Sequence, residues 1–156
     1  MQGLTWTPPL CQVTRPLPFI PTERELDDLI AGCGKKVSAF LQTLKETAMR
    51  IGEAVRIKWK DLDLQRRTIT LNQTEKHGNP RIFNVSNKLL VMLSILPRNT
   101  EYVFGVPHKR VKASNFYPRR KMLARKLGNP RLLEIGFHTF RHWKATTLYH
   151  ETKDIV

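Results

Sequence analysis

Leu26, Leu29 and Ile30 lie on one side of a helix and follow directly on Thr22-Glu23-Arg24-Glu25. That tetrapeptide has the form of a capping box, in which the Thr hydroxyl and the second Glu carboxylate satisfy the first free amides. This helix is expected to stop near Gly32 to Gly34. Val37, Phe40, Leu41, Leu44, Ala48, Ile51 and Val55 keep helical spacing and predict one second helix, with Arg50 and Glu53 as surface neighbours three apart in its C-terminal part. At Arg67 the period changes to two, and Ile69 and Leu71 alternate with Thr68, Thr70 and Asn72. Arg81 to Val85 is a second short apolar run. Glu75-Lys76-His77-Gly78-Asn79-Pro80 between them is turn chemistry, so the pair reads as a β-hairpin. Ser86 is placed to cap a helix carrying Leu89, Leu90, Leu93 and Leu96, closed by Pro97. Two more helices are predicted: one within Asn115 to Leu127, ending at Gly128 with Met122, Leu123 and Leu127 inward, and one from His138 to about His150. The expected fold class is mainly α with a small antiparallel β-sheet (α+β).

The first 21 residues do not fit this pattern. They hold five of the ten prolines, Pro8, Pro9, Pro16, Pro18 and Pro21. Proline fixes φ and removes a donor, so residues 1–21 are expected to form an extended arm or linker, with a single domain over 22–156. A chain that opens in a linker also suggests a further domain before it. No apolar run approaches the roughly 20 residues of a membrane span, and no secretory signal is visible. Cys11 and Cys33 make neither a disulfide framework nor a metal set, which suits a reduced, intracellular, cytoplasmic protein.

Charge narrows the class of partner. Against 13 Asp and Glu stand 27 Lys and Arg, a formal net charge of +14. Such an excess attracts polyanions and gains from counterion release when phosphates are neutralised. From Tyr102 to Leu133 there is no acidic residue and there are nine basic ones. A long run of one sign reads as a phosphate-facing surface, so Lys109, Arg110, Lys112, Arg119, Arg120, Lys121, Arg125 and Lys126 are candidate DNA contacts. Phe116 and Tyr117 within it are read either as base-stacking or as core residues.

Four places carry candidate chemistry. Ala48-Met49-Arg50-Ile51-Gly52-Glu53 sets an arginine beside a carboxylate, and Lys76 lies at the hairpin tip. In His138-Thr139-Phe140-Arg141 a histidine and an arginine share a helical face, and His142 follows His138 at i, i+4. Taken singly these have plain alternatives: an exposed ion pair, a solvated turn, and a histidine pair without the third ligand a metal site needs. In combination and in this order they resemble the tyrosine recombinase (phage integrase) family. Thr47 to Ala54, running into Trp59-Lys60-Asp61-Leu62-Asp63, resembles its first arginine box. Thr74 to Arg81, followed by Val85, resembles the hairpin box that holds its lysine. Gly136-Phe137-His138-Thr139-Phe140-Arg141-His142 resembles its His-x-x-Arg box.

The resemblance implies the family's catalytic domain and a set of roles. Arg50 and Arg141, brought from distant segments, would clamp a phosphate whose oxygens gain charge in a five-coordinate transition state, a task suited to the planar, always-charged guanidinium. Glu53 would orient Arg50 without touching substrate. Lys76 would give a proton to the leaving 5′-oxygen, since a lysine ammonium of free pKa about 10.4 is mostly protonated at neutral pH. His138 would assist proton transfer at the attacking group and hold the phosphate. No cofactor and no metal is needed, because cationic side chains neutralise the charge. The expected partner is duplex DNA, with a homotetramer assembling on it in the full-length protein.

The family attacks with a tyrosine well downstream of the His-x-x-Arg box. Tyr149 follows Arg141 by eight residues on the same expected helix, and Tyr102 and Tyr117 precede the box. No nucleophile is therefore assigned within these residues, and the domain is expected to be C-terminally truncated and inactive alone. Two alternatives are a non-catalytic duplex DNA-binding protein of the same fold, which has no reason to keep these residue types at these spacings, and an unrelated RNA-binding domain, for which no Gly-x-x-Gly loop or RNP-type aromatic strand is present.

Overall fold

The computed structural model describes residues 19–152, without the side chains of residues 109–111. All but the last three residues of the expected arm thus lie outside the described residues. Helix α1 (Glu23–Gly32) opens as predicted: the Thr22 amide donates to Glu25 Oε1 at 2.9 Å, and the Glu25 amide donates to Thr22 Oγ1 at 3.2 Å. Glu25 has a second task. Arg131 Nε and Asn129 Nδ2 donate to its Oε2 at 3.1 and 3.0 Å, which ties α1 to the far end of the chain. Burial alone would raise its pKa. Hydrogen bonds from Arg131, the Thr22 amide and Asn129 outweigh that and hold it at about 2.

Helix α2 (Lys35–Thr47) is the central element and packs against α1, α4 (Asn87–Ser94) and α6 (Phe137–Thr152). Its Phe40 meets the rings of Phe104 and Phe137 edge-on at 5.1 and 5.7 Å. The predicted single helix through Val55 does not form. Ala48 turns left-handed (φ 57°), and a new four-residue helix, α3 (Ile51–Ala54), starts after Arg50. The hydroxyls of Thr43 and Thr47 bond back to the carbonyls four residues earlier. Thr47 Oγ1 also accepts from the Met49 amide, which gives the backbone an alternative to the helical ladder. Arg50 thereby stands at a helix start and not in a helix end.

The sheet has three antiparallel strands in the order β1 (Leu62–Asp63), β2 (Thr68–Leu71) and β3 (Arg81–Asn84). The predicted hairpin is β2–β3, with Ile69 opposite Phe83 and Leu71 opposite Arg81. β1 has two residues, too few for a period to be visible. Ser86 caps α4 by accepting from the Leu89 amide at 3.1 Å, and is itself held by Glu46.

Helix α5 (Lys109–Lys126) begins six residues earlier than predicted and contains Pro118. Phe116, Leu123 and Ala124 face the core. Met122 and Leu127, expected inward, are 43% and 48% exposed. Met122 is one step off the stripe formed by Phe116 and Leu123, and Leu127 lies past the helix end, where Gly128 takes φ 61°. α5 comes so close to α1 that a Cβ on Gly32 would lie 2.4 Å from Leu123 Cδ1. A short 3₁₀ turn, Pro130–Glu134, then leads into α6, which extends slightly past both predicted ends.

Candidate active site

Three segments converge. The start of α3 carries Arg50, the β2–β3 tip carries Lys76, and the first two turns of α6 carry His138, Arg141 and His142. With Ile51 and Glu75 these residues line one open cleft of about 450 Å³. All four residues assigned to chemistry thus come together, from positions up to 91 residues apart in the sequence.

Arg141 is half-buried, and its Nη1 is shielded from solvent without a hydrogen-bond partner among the described residues. Its ionisation is pushed below the ordinary arginine value by burial first and then by Arg50 and Arg81 close by; Glu53 opposes this. Guanidiniums crowded together with a buried N–H unused form an arrangement that an anion relieves.

Glu53, expected on the surface, is completely buried. Its Oε2 accepts the Arg50 amide at 3.0 Å and so caps α3. Its Oε1 accepts the Glu75 amide at 3.1 Å, and Arg81 Nη2 reaches the two oxygens at 3.4 and 3.2 Å. The Arg50 guanidinium lies farther off, with Nη1 3.7 Å from Oε1. At the hairpin tip Lys76 and His77 are consecutive left-handed residues, φ 57° and 58°. Each such conformation costs a non-glycine residue about 1–2 kcal/mol. Thr74 Oγ1 closes the tip by donating to the Gly78 carbonyl.

The model of the family described as phage integrase matches residues 22–156. The chain belongs to the phage integrase family. Its fold is that of the tyrosine recombinase catalytic domain. A crystal structure of XerA recombinase superposes with a TM-score of 0.66 at 22% identity, covering 90% of this chain and 54% of that one. XerH site-specific recombinase bound to palindromic difH substrate, a post-cleavage complex, matches at 0.62 and 21% identity over 92% of this chain and 46% of that one. The XerH pre-cleavage complex with difH substrate gives 0.60 and 22%, over 88% and 45%. The chain spans about half the length of these recombinases.

The basic residues of this phage integrase chain outside the cleft divide sharply. Lys112, expected on a DNA-facing surface, is 3% exposed; its Nζ donates to the Phe104 carbonyl. Burial, with Lys36 nearby, pushes its pKa down to about 8. It stands one turn before Phe116 on the inner stripe of α5. Arg119 Nε donates to the Gly32 carbonyl, and Arg120 Nη1 to that of Ile135, each at 2.8 Å. Arg120 also lies 4.7 Å over the Tyr117 ring. Lys121, Arg125 and Lys126 are exposed; the side chains of Lys109 and Arg110 lie outside the described residues. Phe116 is core, and Tyr117 is partly exposed beneath Arg120.

None of Tyr102, Tyr117 and Tyr149 lines the cleft. His138 and His142 belong to no cluster of three or more metal-ligating side chains among the described residues. Nor is any described helix long and apolar enough to cross a membrane. Two residues of the site escape the sequence reading. The spacing of His142 suggests only a metal ligand. Arg81 ends the hairpin box with no role assigned, although strand alternation puts it on the same face as Phe83, over whose ring it lies at 5.3 Å.

Proposed function

We propose that this chain is the phosphate-binding part of an enzyme of site-specific DNA recombination that cleaves and rejoins duplex DNA through a 3′-phosphotyrosyl intermediate. The observation that carries it is the shielded, unpartnered Nη1 of Arg141 in a cleft shared with Arg50. A phosphodiester has the charge and the oxygen geometry to take up both guanidiniums. In the reaction the tyrosine oxygen bonds to phosphorus while the bond from phosphorus to the 5′-oxygen breaks. The two arginines hold the non-bridging oxygens as their charge grows, worth a few kcal/mol per hydrogen bond in comparable sites. Lys76, on a hairpin tip beside the cleft, protonates the leaving 5′-oxygen. His138 takes up the phenol proton and returns it on rejoining. Glu53 caps α3 and so sets where Arg50 begins.

The tyrosine itself is supplied from outside these 156 residues, because Tyr149 lies on α6 about two turns beyond Arg141 and away from the cleft. The XerH complexes with difH substrate support duplex DNA as the partner, and by analogy the full-length protein assembles as a tetramer on it, inside the cell. The first test is duplex binding by the 156-residue chain across a salt series, with a gel for covalent complexes on the same samples. Salt-dependent binding without an adduct is expected. An adduct would make a tyrosine of this chain the nucleophile, and absence of any binding would remove the DNA assignment.

A further inference from the structure

Glu53 is one buried carboxylate shared by three segments. It accepts the amide of Arg50 at the start of α3, the amide of Glu75 on the ascending limb of the hairpin, and the guanidinium of Arg81 on the descending limb. The six-residue tip 75–80 is therefore closed at its base on both sides by the same group, and Lys76 is the second residue of that tip. Two arginines compete for this carboxylate, unequally. Arg81 Nη2 is at 3.2 Å, inside hydrogen-bond range, whereas the Arg50 guanidinium stands at 3.7 Å. The ring of Phe83, 5.3 Å beneath the Arg81 guanidinium and itself packed on the core, supports Arg81 where it is.

We propose that Arg81 is a positioning residue: by holding Glu53 it leaves the Arg50 guanidinium for the phosphate, and it fixes the base of the hairpin that carries Lys76. A buried carboxylate demands a cationic or multiply donating partner. Remove Arg81, and the nearest guanidinium able to meet that demand is that of Arg50, which turns from the cleft toward Glu53. The same loss frees the descending limb, and the tip becomes mobile relative to α3. Arg81 thus acts through Glu53 and touches no reacting atom. This inference rests on the cleft being a phosphate site.

The 156-residue chain, labelled for NMR, provides the test. Inorganic phosphate is titrated while the Nε–Hε signals of Arg50 and Arg141 are followed, and hydrogen exchange is measured at the Glu75 amide. In Arg81→Gln, Arg50 should lose its response to phosphate while Arg141 keeps most of its own, and the Glu75 amide should exchange about tenfold faster or more, as expected when a charge-assisted hydrogen bond is removed. Arg81→Lys keeps a charge beside Glu53 and should retain the Arg50 response. The double variant Arg81→Gln with Glu53→Gln should regain it, because no carboxylate remains to capture Arg50; a merely structural role for Arg81 predicts a worse protein, not a rescued one. An unchanged Arg50 response and unchanged Glu75 exchange in Arg81→Gln would overturn the proposal while leaving the phosphate site intact. If wild-type Arg50 and Arg141 both ignore phosphate, the site assignment falls with this role for Arg50, and Glu75 exchange still decides whether Arg81 holds the hairpin. Should α2 amides also lose protection in Arg81→Gln, Arg81→Lys decides: an intact α2 with no Arg50 response overturns the proposal, and a retained response supports it.

Discussion

On α5, Arg119 donates to the carbonyl of Gly32, Arg120 to that of Ile135 and Lys112 to that of Phe104. Arg120 Nε and Arg141 Nη1 are both shielded with no acceptor among the described residues, but only Arg141 lines the cleft with Arg50. Both regions are rich in Lys and Arg. In the first, three cations of the acid-free run donate to backbone carbonyls. In the second, the fold brings Arg50, Arg81 and Arg141 near one another with Glu53 as their shared counter-charge. Charge density therefore does not separate structural cations from ligand-binding ones. Placement does: Arg119 and Arg120 each spend one of five N–H groups on a backbone carbonyl, whereas Arg50 and Arg141 line one open cleft together.

The largest effect that would break this contrast concerns the cleft. In a polypeptide that joins this domain to its tyrosine, Arg141→Ala and Arg50→Ala should each lower covalent-complex formation by about 10²–10³-fold, the scale of a lost preorganised donor. Duplex affinity, which rests on many phosphates, should remain largely intact. Suicide-substrate cleavage measures it; normal cleavage by either variant would remove that arginine from the phosphate clamp.

A smaller effect is expected for the cations of α5 that remain free. Changing Lys121, Arg125 and Lys126 together to Ala should reduce the slope of log K against log salt by up to about 0.9 for each phosphate that is no longer neutralised. An unchanged slope would move the DNA face off this part of α5. Arg120→Ala should do the reverse. Its bond to the Ile135 carbonyl is partly buried and charge-assisted, so urea unfolding should show a loss of about 1–3 kcal/mol with little change in salt slope.

The division between these residues was partly visible in the sequence. Lys112, Phe116, Arg120 and Leu123 follow one another at helical spacing, so the stripe that marks Phe116 and Leu123 as core also enrols Lys112 and Arg120. Reading the run as one charged surface overlooks that register. Periodicity finds α1, α2, α4 and α6 because each has three or more apolar residues in phase or, for α6, a motif that begins it. It passes through the break at Ala48 because alanine satisfies a helical face whether or not the helix continues; the signal lies in Thr43 and Thr47, whose hydroxyls bond back to the backbone. In the cleft, the resemblance to the family's three motif boxes brings out Arg50, Lys76, His138 and Arg141. Arg81 escapes because its partner, Glu53, is 28 residues away, and pairing at that distance depends on how β3 registers against β2.

Lys112 offers the finest test of the comparison, because it is read from the pH dependence of stability and not from its level, which the loss of the bond to the Phe104 carbonyl also lowers. A lysine with its folded pKa lowered to about 8 favours the neutral form in the folded state. Between that value and the ordinary lysine range near 10.4 the unfolded chain binds more protons than the folded one, so stability should rise as pH climbs through this window. Below about pH 8 both states are protonated and this contribution is flat, at its least favourable. Lys112→Met, which fills similar volume without the charge, should flatten the alkaline rise in urea midpoints measured from pH 7 to 10. A lysine free to reach DNA would show no such rise, and its loss would lower duplex affinity. If Lys112→Met leaves the alkaline profile as it was and weakens DNA binding, Lys112 belongs with the free cations, and the distinction between cations held by the fold and cations left for a ligand fails at its most buried example.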